Sequence, residues 1–257
     1  MKVAILYICT GKYDVFWEGF YKSSEQYFLK DYMKEYFVFT NKEIFPVNER
    51  VHKIYQEKLG WPYDTLMRFK MFNSVKESLA SFDFIFFINA NMRFLQPVGE
   101  EILPTAEEGL LVVKHPGFFN KQRQEFTYDS NPESLAYIPD HEGIHYFMGG
   151  LNGGRAQEYI ELIESLSENI DIDLEKDIIA LWHDESHLNK YMLNKDPKIL
   201  DTSYGYPEGW ELPCDKKVII LDKANFGGHD FLRDNTKPVR GQDFLMKIKS
   251  VLKKIWS

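Results

Sequence analysis

Cysteine is nearly absent from the chain: Cys9 and Cys214 are its two thiols in 257 residues. They make no disulfide framework, and a reducing compartment suits the protein. Long apolar runs are missing too. No stretch approaches the roughly 18 consecutive apolar residues that a membrane-spanning helix requires. The opening MKVAILYICTGKY carries a short apolar run at 3–9 with no small-residue cleavage site after it, so it does not read as a secretion signal. A cytoplasmic location is the expectation. Basic residues are in the minority, 31 against 39 acidic, for a formal charge of −8. That balance argues against nucleic acid as the main partner and leaves room for a local basic site that holds a phosphate. Repeats, low-complexity tracts and a clear linker are not seen. Nor is a Walker A sequence, and the glycines at 149, 150, 153 and 154 do not fit GxGxxG placed after a strand.

Apolar and aromatic residues are plentiful. Hydrophobic residues make up 44% of the chain, enough for one sizeable core. Aromatics reach 16%, with 20 Phe and 15 Tyr, which serve either as bulky core or as faces on which sugars stack. Short apolar runs at 3–9, 36–39, 51–55, 84–88, 110–113 and 218–221 read as strands, with 84–88 the most apolar and central. Helical spacing marks 16–29 and 64–80, the latter with Asp64 as N-cap and Leu66, Phe69, Phe72, Val75 and Leu79 at three-to-four spacing. Further helices are expected at 156–168, 178–192 and 244–256. The last is basic and amphipathic, with Leu245, Ile248, Leu252 and Ile255 on one face. Packing on its own domain is its expected use, and peripheral contact with an anionic membrane surface is the alternative.

Strand and helix alternate through the first half, which predicts an α/β fold: a mostly parallel sheet with helices on both faces. Ligands of such sheets bind beyond the carboxyl ends of the strands. Three polar, abrupt ends therefore stand out: Cys9-Thr10-Gly11, Asn89-Ala90-Asn91 and Lys114-His115-Pro116.

The densest chemistry lies in WHDESHLNKY, 182–191, where acid–base groups and a second histidine crowd together. His183 and His187 stand four apart, as zinc ligands on a helix would. The zincin pattern needs Glu directly after the first histidine, and Asp184 stands there instead. The plain alternative is a polar helix start capped by Asp184. After the central strand, Asn89-Ala90-Asn91 occupies the place where many UDP-sugar transferases carry Asp-x-Asp to hold a divalent cation. Two asparagines keep the oxygens and lose both charges.

Six segments, in this order and spacing, resemble one family: LMRFKMF (66–72), FINANMRF (87–94), HPGFF (115–119), EFTYDSNPESLAYIP (125–139), HYFMGGLNGG (145–154) and ALWHDESHLNKY (180–191). From about residue 7 to 233 the chain resembles the retaining α-1,3-galactosyl and N-acetylgalactosaminyl transferases of the ABO blood-group type, glycosyltransferase family 6, and within it the bacterial branch with Asn-x-Asn. The resemblance implies a GT-A fold, a Rossmann-like mixed sheet flanked by helices in a single domain over 1–257. It implies a mainly nucleotide-binding half at 1–120, a mainly acceptor-binding and catalytic half at 121–240, and the C-terminal helix at 241–257.

The resemblance also implies roles. Tyr13 stacks near the uracil, Arg68 contacts the donor sugar, and Asn89, Ala90 and Asn91 replace the metal-binding segment. Met148, Gly149 and Gly150 stand at the donor, with Met148 and Gly150 reading its C2 substituent. His115, Thr127 and Trp182 contact the acceptor. Asp184 binds donor hydroxyls and Glu185 is the catalytic carboxylate. Lys223 and Arg233 close over the diphosphate. The implied reaction moves N-acetylgalactosamine from UDP-GalNAc to the galactose of a Fucα1-2Gal acceptor, retaining configuration, with no metal and no cofactor. UDP-galactose is the alternative donor, because Gly150 and Gly117 make room for an N-acetyl group while Met148 is the choice of galactose-preferring members. A non-catalytic sugar-binding protein of the same fold and a zinc hydrolase are the competing readings.

Overall fold

The computed structural model describes residues 1–234; the helix expected at 244–256 lies outside them. The described elements are β1 (Lys2–Ile8), α1 (Trp17–Tyr27), β2 (Met33–Thr40), β3 (Val51–Tyr55), α2 (Tyr63–Leu66), α3 (Arg68–Asn73), α4 (Lys76–Leu79), β4 (Phe84–Ile88), β5 (Met92–Phe94), β6 (Leu110–Lys114), β7 (Phe147–Arg155), α5 (Ala156–Glu175), α6 (Asp184–Met192), β8 (Lys198–Leu200), β9 (Tyr206–Pro207), β10 (Val218–Ile220) and α7 (Gly228–Leu232).

Seven strands form the main sheet in the order β3-β2-β1-β4-β7-β6-β8. All neighbours run parallel except β7, which is antiparallel to both β4 and β6. A second sheet, β5-β10-β9, stands beside it. Successive residues of β1 feed two cores: Val3, Ile5 and Tyr7 pack with Trp17 and Phe20 of α1, while Ala4 and Leu6 pack with Phe69, Phe72, Tyr159 and Leu188 of the opposite helices. Both faces of the sheet are thus covered, and β4, FIFFI, is buried throughout. Full burial of one such side chain contributes roughly 1.5–3 kcal/mol, so this strand anchors the sheet. The described residues form a single GT-A domain, as the resemblance implied.

Several local expectations need correction. The helix expected at 64–80 is three short helices, because Met67 (ψ 11°) and Val75 (ψ 12°) leave the helical basin. Asp64 caps none of them; its carboxylate accepts the Leu59 amide at 2.8 Å. The helix expected at 178–192 begins at Asp184, with His183 at the N-cap position and no side-chain cap. The glycine-rich stretch at 149–154, for which no element was assigned above, lies inside β7. The helix expected at 156–168 continues to Glu175.

Candidate active site

The antiparallel run of β7 builds the site. Its first residues lie beside the carboxyl end of β4, where Ile88 pairs with Leu151 and the Asn89 amide donates to the Gly150 carbonyl at 2.8 Å. Gly149 and Gly150 face an open cleft of about 200 Å³. Asn89, Arg68, Trp182, Asp184 and Glu185 complete the predicted part of its wall.

The turn ahead of α6 presents the two carboxylates. His183 sits at φ 57°, a conformation that non-glycine residues avoid and that is stored where surrounding contacts over-determine it. Those contacts are visible. The His183 amide donates to the Ala180 carbonyl at 2.9 Å, the Leu181 amide to Asp129 Oδ2 at 2.7 Å, and the Trp182 amide to Ser186 Oγ at 2.9 Å.

Asp184 is 2% exposed and takes a hydrogen bond and ion pair from Arg68 Nη1. The same nitrogen reaches the Gly149 carbonyl at 3.2 Å, and the guanidinium lies 4.4 Å from the Phe87 ring centroid. Arg68 is buried at the first position of α3, so the helix break at Met67 is what brings it to Asp184. Burial pushes the Asp184 carboxyl up to about 6, against the pull of Arg68. Glu185 is partly buried, and its Oε2 accepts the Gly149 amide at 2.7 Å. Burial raises it to about 7; the Gly149 amide and the Tyr146 hydroxyl restrain that rise, and Asp184 adds to it.

The Asn-x-Asn segment is tied to the far side of the cleft. Asn89 Nδ2 donates to Asn91 Oδ1 at 3.1 Å, and Asn91 Nδ2 donates to the Leu221 carbonyl at 2.8 Å. The Leu221 amide returns a bond to the Asn91 carbonyl at 2.8 Å, and buried Tyr7 donates to the Ala90 carbonyl at 3.1 Å. Two residues beyond Leu221, Lys223 opens a 3-10 turn capped by Asp222. Its ammonium stands 5.4 Å from the Tyr13 ring centroid. Burial lowers it to about 8, with Arg233 and Arg68 adding like-charge repulsion. Arg233 lies over Trp61 at 4.1 Å, and Trp61 meets the His183 ring edge-on at 4.5 Å. Tyr13, Lys223 and Arg233 therefore form one cationic and aromatic rim, although they come from opposite ends of the described chain.

On the other side, exposed Trp182 donates its indole N–H to Thr127 Oγ1 at 2.8 Å. The Tyr146 hydroxyl donates to the Thr127 carbonyl at 3.4 Å, and the Tyr146 ring stands 5.7 Å from His115. His115 Nδ1 accepts the Gly117 amide at 3.0 Å, which leaves its proton on Nε2. Burial lowers its basicity to about 4, so it is neutral at neutral pH. Met148 is buried beneath Gly150 on the same face of β7, its methyl 2.8 Å from where a Cβ at 150 would lie.

Sequence reasoning missed Trp61, Thr65 and His183 as cleft-lining residues and Tyr146 beside the carboxylate. Trp61 follows a glycine and precedes a proline, a loop aromatic that could have been flagged; Tyr146 carried no separate signal. His183 and His187 do not converge on an ion. His187 is buried, with Nε2 3.7 Å from Asp173, and among the described residues no three His, Cys, Asp or Glu are grouped to hold a metal.

Comparison with known proteins agrees with this geometry. Residues 1–227 match the profile described as Glycosyltransferase family 6. The O-antigen biosynthesis glycosyltransferase WbnI of Escherichia coli is 33% identical over 225 residues, covering 87% of this chain and 95% of that protein. Histo-blood group ABO system transferase 1 of Rattus norvegicus is 32% identical over 221 residues, 81% of this chain and 62% of the rat protein. Globoside alpha-1,3-N-acetylgalactosaminyltransferase 1 of Gallus gallus is 30% identical over 214 residues, 79% of this chain and 61% of the chicken protein. The chain thus spans less than two thirds of these two animal relatives. On its profile match and on the carboxylate, glycine and arginine cluster that the six segments build, the chain belongs to glycosyltransferase family 6.

Proposed function

We propose that the chain transfers N-acetylgalactosamine from UDP-GalNAc to the galactose of a Fucα1-2Gal acceptor, forming an α-1,3 linkage with retention and without a metal ion. The observation that carries this is the pair Asp184 and Glu185 brought together at Gly149, one paired with Arg68 and the other held by the Gly149 amide. Asp184 and Arg68 bind donor hydroxyls. Glu185 faces the anomeric carbon, either as nucleophile or as the anion that stabilises an oxocarbenium-like transition state. Trp182, Thr127 and neutral His115 receive the acceptor. The α-1,3 linkage and the N-acetylgalactosamine follow the activity for which the globoside relative is named. The space at Gly150 supports the same donor. UDP-galactose is the second reading, favoured by Met148, whose methyl reaches into that space.

The reading without metal rests on the donor set. Asn89 and Asn91 are neutral, and the Asn91 oxygen and both side-chain NH2 groups are engaged with each other and with Leu221. Such a pair does not suit a hard divalent cation, which seeks free, charged oxygens. Lys223 and Arg233, on the segment that Asn91 pins, take up the charge that builds on the departing UDP. Residues 1–120 supply most nucleotide contacts and 121–240 most acceptor contacts, so the domain works as two halves around one cleft. Free Cys9 and Cys214 suit a cytoplasmic protein. No helix among the described residues is long and apolar enough to cross a membrane.

Replacement of Glu185 by Gln tests the assignment. Turnover should fall by roughly a thousandfold or more while UDP-GalNAc binding, read by calorimetry, is kept, because only the transition state loses its charge partner. Turnover within about tenfold of the native enzyme would remove Glu185 from its role.

A further inference from the structure

Met148 is held between two glycines, and the second has no assigned part in the site. A Cβ built on Gly205 would fall well under 3.0 Å from Met148 Sδ and 3.3 Å from its terminal methyl. A Cβ on Gly150 would lie 2.8 Å from that same methyl. The thioether therefore spans the gap, its sulfur in the hollow left by Gly205 and its methyl at the open side of Gly150. Gly205 closes a 3-10 turn, Thr202–Gly205, whose residues are all buried. Its φ lies outside the left-handed region, so the turn conformation does not demand glycine. What the missing side chain supplies is room.

We propose that Gly205 is a specificity-determining residue: it provides the recess that seats the Met148 sulfur, keeps the thioether from advancing further over Gly150 into the donor site, and so leaves room for a bulky C2 acetamido group on the donor hexose. The proposal deepens the function proposed above and rests on its placing of Met148 and Gly150 at the donor's C2 position. A methyl group at 205 would evict the sulfur. Val113 Cγ1, 3.6 Å from that methyl, already fills one flank of the recess. Gly150 lines the cleft and offers the open side, so the displaced thioether moves toward the sugar. A C2 hydroxyl tolerates that intrusion better than an acetamido group does.

The test compares kcat/KM for UDP-GalNAc and UDP-galactose on one fucosylated acceptor in the native enzyme, Gly205→Ala, Met148→Ala, the double variant and Gly150→Ala. Gly205→Ala should lower the GalNAc-to-Gal ratio by about tenfold or more, the range expected for a one-methyl change in a sugar pocket. In the Met148→Ala background the same substitution should move the ratio by less than about twofold, since the displaced group is gone. A ratio within about twofold of native in folded Gly205→Ala, or an equal shift in both backgrounds, overturns the recess. If Gly205→Ala fails to fold, the double variant should recover the fold, and its failure to do so also overturns the proposal. Gly150→Ala separates the two levels. A shifted ratio there with none in Gly205→Ala defeats the recess alone, and no shift in Gly150→Ala defeats the C2 reading and the recess together.

Discussion

Glu185 lines the cleft and Lys223 stands on its rim, their basicities moved toward each other, and that has a consequence for pH dependence. Burial raises Glu185 to about 7 and lowers Lys223 to about 8. The proposed chemistry needs the carboxylate ionised and the ammonium charged. Donor kcat/KM, which reports the free enzyme, should therefore rise with pH through about 7 and fall above about 8. Lys223→Arg should abolish the alkaline limb, because a guanidinium stays protonated to about pH 12 or beyond. An unchanged alkaline limb in that variant, in a pH–rate profile on UDP-GalNAc, would take Lys223 out of the charge balance. At this scale the carboxylates were legible because 182–185 packs unusual chemistry into four positions. Lys223 and Arg233 were reached only through the family resemblance, since nothing local distinguishes them from solvated surface cations. Their meaning comes from Asn91, which ties its side chain to Leu221 across 130 residues of chain.

The elements show where periodicity carries information and where it fails. Apolar runs at β1, β2, β4 and β6 marked those strands because a parallel strand covered on both faces reads as continuous hydrophobicity. β7 escaped that signal. Its four glycines lower strand propensity, yet the structure requires small residues there. A Cβ at Gly153 would stand 2.6 Å from the Ile85 carbonyl oxygen and 2.5 Å from the Phe86 ring, and one at Gly154 2.7 Å from the Gly109 carbonyl. Neither backbone oxygen can move without breaking the sheet. Gly153→Ala should therefore cost about 2–3 kcal/mol of stability, more than an ordinary surface change. Urea denaturation of the two proteins would measure it, and a loss below about 0.5 kcal/mol would mean that β7 accepts a side chain there. The helix at 64–80 failed in the opposite way. Its apolar spacing correctly named buried Leu66, Phe69, Phe72 and Leu79, but spacing is blind to the turn at Met67 that delivers Arg68 to Asp184.

Across the whole molecule, an acidic protein of net charge −8 gathers Arg68, Lys223 and Arg233 around one cleft. On the proposed reading these cations draw an anionic donor toward the cleft despite the negative net charge. The α/β class, the two-faced core and the cleft at the carboxyl ends of the strands were legible from strand–helix alternation. The antiparallel β7 and the small β5-β10-β9 sheet were not, because each depends on pairing between residues far apart in sequence. That long-range pairing is also what brings Lys223 beside the neutral Asn89-Ala90-Asn91 segment, where a cation-binding carboxylate pair would otherwise stand. On the proposed reading, protein cations take the place of a bound ion in stabilising the leaving diphosphate. The decisive measurement is the rate of N-acetylgalactosamine transfer from UDP-GalNAc to 2′-fucosyllactose, with EDTA present and with manganese added. Equal rates, within about twofold, are predicted in both conditions. Activity abolished by the chelator and restored by manganese would contradict it.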